Sequence, residues 1–173
     1  MSPTSTLKPA TAPPSSKHTL LRYRLLTQHQ RRGAPTGNSI KVAGKYDAYV
    51  AAPPADKKHE GVGLLYIPDV IGIWQNSQLM ADQLAANGYL TLIIDVFNGD
   101  PIPLNRPGTF DFMAWMTKGS TGDNPHTKEA VDPIVVEAIK TLKEQYGVKK
   151  LGALGYCFGA KVNPVCLPNQ HPN

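Results

Sequence analysis

The pentapeptide Gly155-Tyr156-Cys157-Phe158-Gly159 constrains this chain more than any other stretch. An apolar run, Leu151 to Tyr156, leads into it and reads as a buried strand, and Phe158 to Lys161 is suited to opening a helix. Between a strand and a helix, the pattern G-x-nucleophile-x-G has a mechanical meaning. The glycines carry no side chains, so a tight, strained turn can form and push the middle residue out above the sheet. Here that residue is a thiol, and a share of any free cysteine is already thiolate at neutral pH. The same five residues also suit a plain core turn whose glycines permit close backbone approach.

The rest of the chain sets the context. Ile40 to Val42 and Tyr46 to Val50 flank Ala43-Gly44 and predict a hairpin. After a loop with Pro53-Pro54 and the charged run Asp56 to Glu60, Gly61 to Ile67 is a continuous apolar run of strand length, suited to burial on both faces. Pro68 to Gly72 then forms a loop. Trp74 to Asn87 predicts a helix with an apolar stripe of Leu79, Met80, Gln83, Leu84 and Ala86, stopped at Asn87-Gly88. Tyr89 to Val96 is a second buried strand, and Asn98 to Gly108 is a long irregular loop. Phe110 to Thr117 predicts a short aromatic helix or turn. Thr127 to Tyr146 predicts a long helix, with Pro133 in its first turns and Gly147 as its stop. Val148 to Tyr156 is a third buried strand.

Strands alternating with helices predict an α/β fold, a mostly parallel sheet with flanking helices. Ligands in such sheets bind beyond the carboxyl ends of the strands. Three stretches fall there: Pro68 to Gly72, Asp95 to Gly99, and Gly155 to Gly159. The sequence holds no G-x-G-x-x-G and no G-x-x-x-x-G-K, so a nucleotide-binding reading lacks its phosphate loop.

Charge is unevenly spread. Net charge is +5, yet eight positive residues precede the first acidic one, Asp47, so the remainder nets −3. Residues 1–38 are rich in Ser, Thr, Pro and Arg and predict a disordered basic leader. His18 to Arg32 partly suits a mitochondrial transit peptide, so the expected location is cytoplasmic with mitochondrial as the alternative. Nucleic-acid binding is not expected, because Tyr23 is the leader's only aromatic. No apolar run approaches the ~18 residues of a membrane span, so no membrane partner is expected. Cys157 and Cys166 make no disulfide framework, and no CxxC or His/Cys cluster predicts a metal or other cofactor. His18, His29, His59, His126 and His171 sit among polar neighbours and read as solvated loop residues.

Together these stretches resemble the dienelactone hydrolase family of the α/β-hydrolase superfamily. The carriers are Gly155 to Lys161, the passage Leu84-Ala85-Ala86-Asn87-Gly88-Tyr89 leading to Asp95, and Asp69-Val70-Ile71-Gly72. The resemblance spans about Gly37 to Lys161 and implies a partial domain over residues 39–161. It implies that Cys157 is a nucleophile toward a small-molecule ester or lactone. It further implies oxyanion-hole donors at the backbone N–H groups of Phe158 and Val70, and an elbow framed by Gly155 and Gly159. Asp69 takes the place of a thiolate-activating Glu, with a shorter side chain; the other reading is a loop carboxylate capping the helix that follows. Asp95 resembles a strand-end Asp of structural rather than catalytic use. No arginine aligns near Asn98-Gly99 to hold a dienelactone carboxylate.

The order in this fold is nucleophile, acid, histidine. No acidic residue follows Cys157, and His171 is too close to it in sequence. Residues 162–173 form an atypical tail, in which Pro164 and Pro168 would break the expected helix. The chain therefore reads as truncated after the elbow and inactive as written. The alternative is a non-catalytic product that binds a partner, or a second copy of itself, through an unfinished sheet edge. A redox-sensitive thiol is a third reading.

Overall fold

A computed structural model describes residues 33–161 and shows a five-stranded sheet with helices on both faces. β1 (Asn38–Val42) and β2 (Tyr46–Ala51) form the expected hairpin. Ala43 and Gly44 both take positive φ, 50° and 67°, and the Lys45 N–H closes the turn on the Val42 carbonyl at 3.0 Å. Positive φ at both central residues matches the natural twist of a hairpin. β3 (Val62–Ile67), β4 (Leu90–Ile94) and β5 (Lys150–Gly155) follow. The helices are α1 (Gln75–Ala86), α2 (Phe112–Lys118), α3 (Lys128–Glu144) and α4 (Phe158–Lys161).

The strands lie in the order β1-β2-β4-β3-β5. β4, β3 and β5 run parallel, as the strand-helix alternation predicts. The hairpin adds two antiparallel pairings, so the sheet is mixed. Because the three parallel strands point the same way, the loops at 68–72, 95–99 and after 155 gather at one end of the sheet.

Successive side chains alternate between the faces. Leu65, Ile67, Leu92 and Ile94 enter a large core with Val131, Ile134, Val135, Ala138 and Leu142 of α3. Tyr49, Ala51, Tyr66 and Ile93 point the other way, onto Ala81 and Ala85 of α1. The α1 face that meets the sheet is Ser77, Ala81 and Ala85, spaced four residues apart. This corrects the expected stripe. Leu79, Met80 and Leu84 are only half-buried, while Gln83 and Ala86 are exposed. Small residues let the helix backbone approach the sheet, and the larger side chains are displaced to its flanks.

One further expectation changes, and one is narrowed. β5 is the outer strand and pairs only with β3 among the described residues, so Leu151 to Gly155 are half-covered rather than buried on both faces. Of the two readings of Pro133, tolerated in the first turns or marking the true start, the first holds: it is the sixth residue of α3, on an exposed face. It leaves the Glu129 carbonyl without its helical partner.

The expected leader up to residue 32, the tail from 162, and His18, His29, His171 and Cys166 lie outside the described residues. The last stretch assigned to the leader is part of the packed body. The N–H groups of Thr36 and Gly37 donate to Asp82 of α1 at 2.7 and 3.2 Å, and Gly37 also donates to the Tyr49 hydroxyl at 2.6 Å. That hydroxyl donates to Asp82 at 2.6 Å. Burial, then the bond to Asp82, pushes the Tyr49 pKa up to about 12. Among the described residues, no helix is long and apolar enough to cross a membrane.

Candidate active site

The site is built on the turn after β5. Cys157 has a φ of 53°, a left-handed conformation uncommon for any residue but glycine. The glycines around it are required by contact. A Cβ at Gly155 would fall on the Gly159 carbonyl, and one at Gly159 would fall on the carbonyl of Ile67 at the end of β3. The turn is therefore closed on itself and pressed against the neighbouring strand. Gly159 N–H donates to Tyr156 at 2.9 Å and Ala160 N–H to Cys157 at 3.2 Å. The Cys157 thiol is free and exposed. Phe158, one residue on, is buried against Phe97 with ring centroids 5.0 Å apart.

The loop after β3 stands beside this turn. Asp69 folds its carboxylate back onto its own loop, accepting the Ile71 N–H at 2.8 Å. Its carbonyl accepts the Gly72 N–H at 2.9 Å, and Gly72 has a φ of 76°. No hydrogen bond links Asp69 to Cys157, and α1 begins six residues later, at Gln75. Val70 uses its carbonyl to accept the Ile102 N–H at 2.7 Å. Among the described residues, neither the Val70 N–H nor the Phe158 N–H has an acceptor.

The loop after β4 is the third part. Asp95 is buried and accepts the N–H groups of Phe97 at 2.9 Å and Gly99 at 2.7 Å. Desolvation raises its pKa above the ordinary value, against those two bonds. It fixes the loop and does not face solvent.

His126 corrects the sequence reading. It is 1% exposed rather than a solvated loop residue. Its Nε2 lies 3.0 Å from Asp100 Oδ2, and its ring packs on Trp115 and Phe97 at 4.4 and 5.4 Å. Its partners lie far along the chain, so no local pattern announces it; a polar group flanked by Phe97 and Trp115 at a distance is the only hint. The other described histidine, His59, packs on Tyr89 and donates its backbone N–H to the Gly88 carbonyl at 2.9 Å, toward the amino end of the parallel strands. Neither is hydrogen-bonded to Cys157. No group of three or more His, Cys, Asp or Glu suited to a metal occurs among the described residues.

The fold and a strand-turn-helix bearing an exposed thiol define an α/β hydrolase. The model of the dienelactone hydrolase family matches residues 46–170, and the chain belongs to that family. It is 42% identical over 132 residues to hydrolase TropI of Talaromyces stipitatus, covering 75% of this chain and 50% of that protein. It is 41% identical over 140 residues to dienlactone hydrolase 1 of Gibberella moniliformis, covering 76% and 49%. Among solved structures, a dienelactone hydrolase candidate from Klebsiella pneumoniae superposes with a TM-score of 0.51 at 17% identity, over 73% of this chain and 52% of that one. That likeness concerns the fold alone. The chain spans about half the length of the curated relatives it matches.

Proposed function

We propose that this unit is the nucleophile-bearing half of an ester or lactone hydrolase, with Cys157 as the attacking group. The observation that supports the reading is the pair of acceptor-free N–H groups, Val70 on the loop after β3 and Phe158 at the start of α4, where that loop and the turn bearing an exposed thiol meet. The thiolate adds to the carbonyl carbon of a small ester or lactone. The oxyanion that develops takes hydrogen bonds from the two N–H groups, each worth about 10²–10³ in rate in well-studied cases. Collapse expels the alkoxide and leaves a thioester on Cys157, which water then hydrolyses. Asp69 shapes the loop that presents Val70.

No described side chain is hydrogen-bonded to the thiol to act as base or acid. The described unit is therefore expected to acylate and then stall. With p-nitrophenyl acetate it should release about one equivalent of p-nitrophenol per chain and turn over slowly, consistent with losses of roughly 10⁴–10⁶ when triad members are removed. Cys157→Ala should abolish the burst. An equal release by Cys157→Ala would overturn the nucleophile, and sustained turnover at the rate of an intact relative would overturn the stalled thioester.

A second reading rests on the outer side of β5, which pairs with no strand among the described residues, beside a groove lined by Met80, Leu84, Leu154 and Tyr156 together with the polar Gln83 and Asn87. An apolar unpaired edge recruits other chains. Light scattering should show oligomers that Leu154→Lys disperses, and a monodisperse monomer would remove this reading.

A further inference from the structure

We infer that His126 and Asp100 are a positioning pair for the oxyanion site, setting where the N–H groups of Val70 and Phe158 point. The inference rests on the proposed role of those two groups. Both lean on one short segment, residues 97–102. Phe97 supports the Phe158 ring at 5.0 Å, and Ile102 N–H holds the Val70 carbonyl at 2.7 Å. Pro101 presses on Gly72, where a Cβ would stand 3.0 Å away. A shift of this segment would therefore move the two donors together.

The segment is held from beneath by residues 115–126. Asn124 Nδ2 donates to the Phe97 carbonyl and Trp115 Nε1 to the Asp100 carbonyl, each at 3.0 Å. The Asp100 carboxylate takes the Ser120 N–H at 2.8 Å and His126 Nε2 at 3.0 Å on the same oxygen. His126 is itself tied down by its N–H to the Met116 carbonyl at 2.9 Å. Desolvation pushes the Asp100 carboxyl upward, but the donors from Ser120 and then His126 outweigh it and hold it below the ordinary carboxylate range. One Asp100 oxygen thus gathers both donors, and the imidazole is held to it. The other ring nitrogen, Nδ1, is buried without a hydrogen-bond partner, in a ring that packs on Phe97 and Trp115. A core filled only for stability would be served by an apolar side chain here, because a buried polar atom without a partner is costly. What the imidazole adds is a fixed direction for the one bond it makes.

Two reactions of the same thiol separate positioning from general damage. Acylation by p-nitrophenyl acetate builds an oxyanion; alkylation by iodoacetamide does not. In the full chain, the ratio of the two Cys157 rates should exceed that of glutathione. His126→Leu fills the space without a donor and should lower the ratio roughly 10- to 100-fold, the scale on which a small misplacement of a reacting group acts. His126→Gln keeps a donor near Nε2 and should restore most of it. A cooperative urea transition followed by far-ultraviolet circular dichroism reports whether each variant folds. If the leucine variant does not fold, Asp100→Ala against Asp100→Asn poses the same contrast. An enhanced wild-type ratio that His126→Leu leaves unchanged, or that His126→Gln reduces equally, overturns the positioning pair alone. A wild-type ratio no higher than that of glutathione overturns the oxyanion site and the pair with it.

Discussion

The two faces of the sheet carry very different cover. On one, Leu65, Ile67, Leu92 and Ile94 are sealed by α3 and by the loops around Phe97, Ile102 and Trp115. On the other, Tyr66 and Ile93 meet the alanines of α1, with Ile73, Met80 and Tyr156 at the margin, and Leu154 beside them is half-open. The composition of the strands does not explain this, since both faces are apolar. The difference lies in what arrives to cover them. The thick face is completed by residues between β4 and β5, whereas the thin face has a single helix among the described residues. The candidate site sits where the thick face ends, with its supports already in place.

The comparison breaks first at the core. Leu92→Ala, fully buried on the thick face, should lose about 2–5 kcal/mol of unfolding free energy. Leu154→Ala, on the thin face, should lose less than about 1.5 kcal/mol, because its side chain is already partly in water. Urea denaturation measures both, and equal losses would mean that the thin face is covered in solution.

The second break uses acid. Asp100 has a folded pKa below its unfolded one, so its stabilisation is present above the unfolded value and is lost as pH falls through the folded value. Asp95 has the opposite sign: its folded pKa is raised, so its contribution is fullest in acid and declines as pH rises through the unfolded value toward the folded one. Between about pH 6 and pH 3, Asp100→Asn should flatten the fall in urea midpoint and Asp95→Asn should steepen it. Matching slopes in all three proteins would remove both carboxylates from the linkage.

The smallest effect concerns the chain ahead of β1. Limited proteolysis should release residues up to about 32 and stop before Thr36, whose N–H is held by Asp82, with little change in urea midpoint. Cleavage between Gly37 and Val42 would show that the Asp82 clamp does not hold.

Period and punctuation made most of the fold legible. Continuous apolar runs gave the three parallel strands, Ala43-Gly44 gave the hairpin, and the glycines around Cys157 gave the turn. What stayed hidden was carried by contacts distant in sequence. The α1 face was misjudged because large apolar side chains weigh more than alanines in a pattern, although alanines permit the closest approach. His126 was misjudged because Asp100, Phe97 and Trp115 lie 26, 29 and 11 residues away from it. For Asp69 the sequence left two readings open, a thiolate-activating carboxylate and a cap of the next helix, and its bond to the Ile71 N–H depends on a backbone course that no pattern reports.

The backbone angle at Cys157 has a consequence for which side chains evolution or a designer could place there. A left-handed φ of 53° is tolerated by residues with a single heavy atom on Cβ and resisted by those with two. Serine could replace the thiol and keep the geometry, exchanging a soft, polarizable sulfur for a hard oxygen. Threonine, chemically close to serine, would set its methyl group against the local backbone. The turn thus acts as a steric filter on side chains, admitting a thiol or a primary hydroxyl and refusing a secondary one.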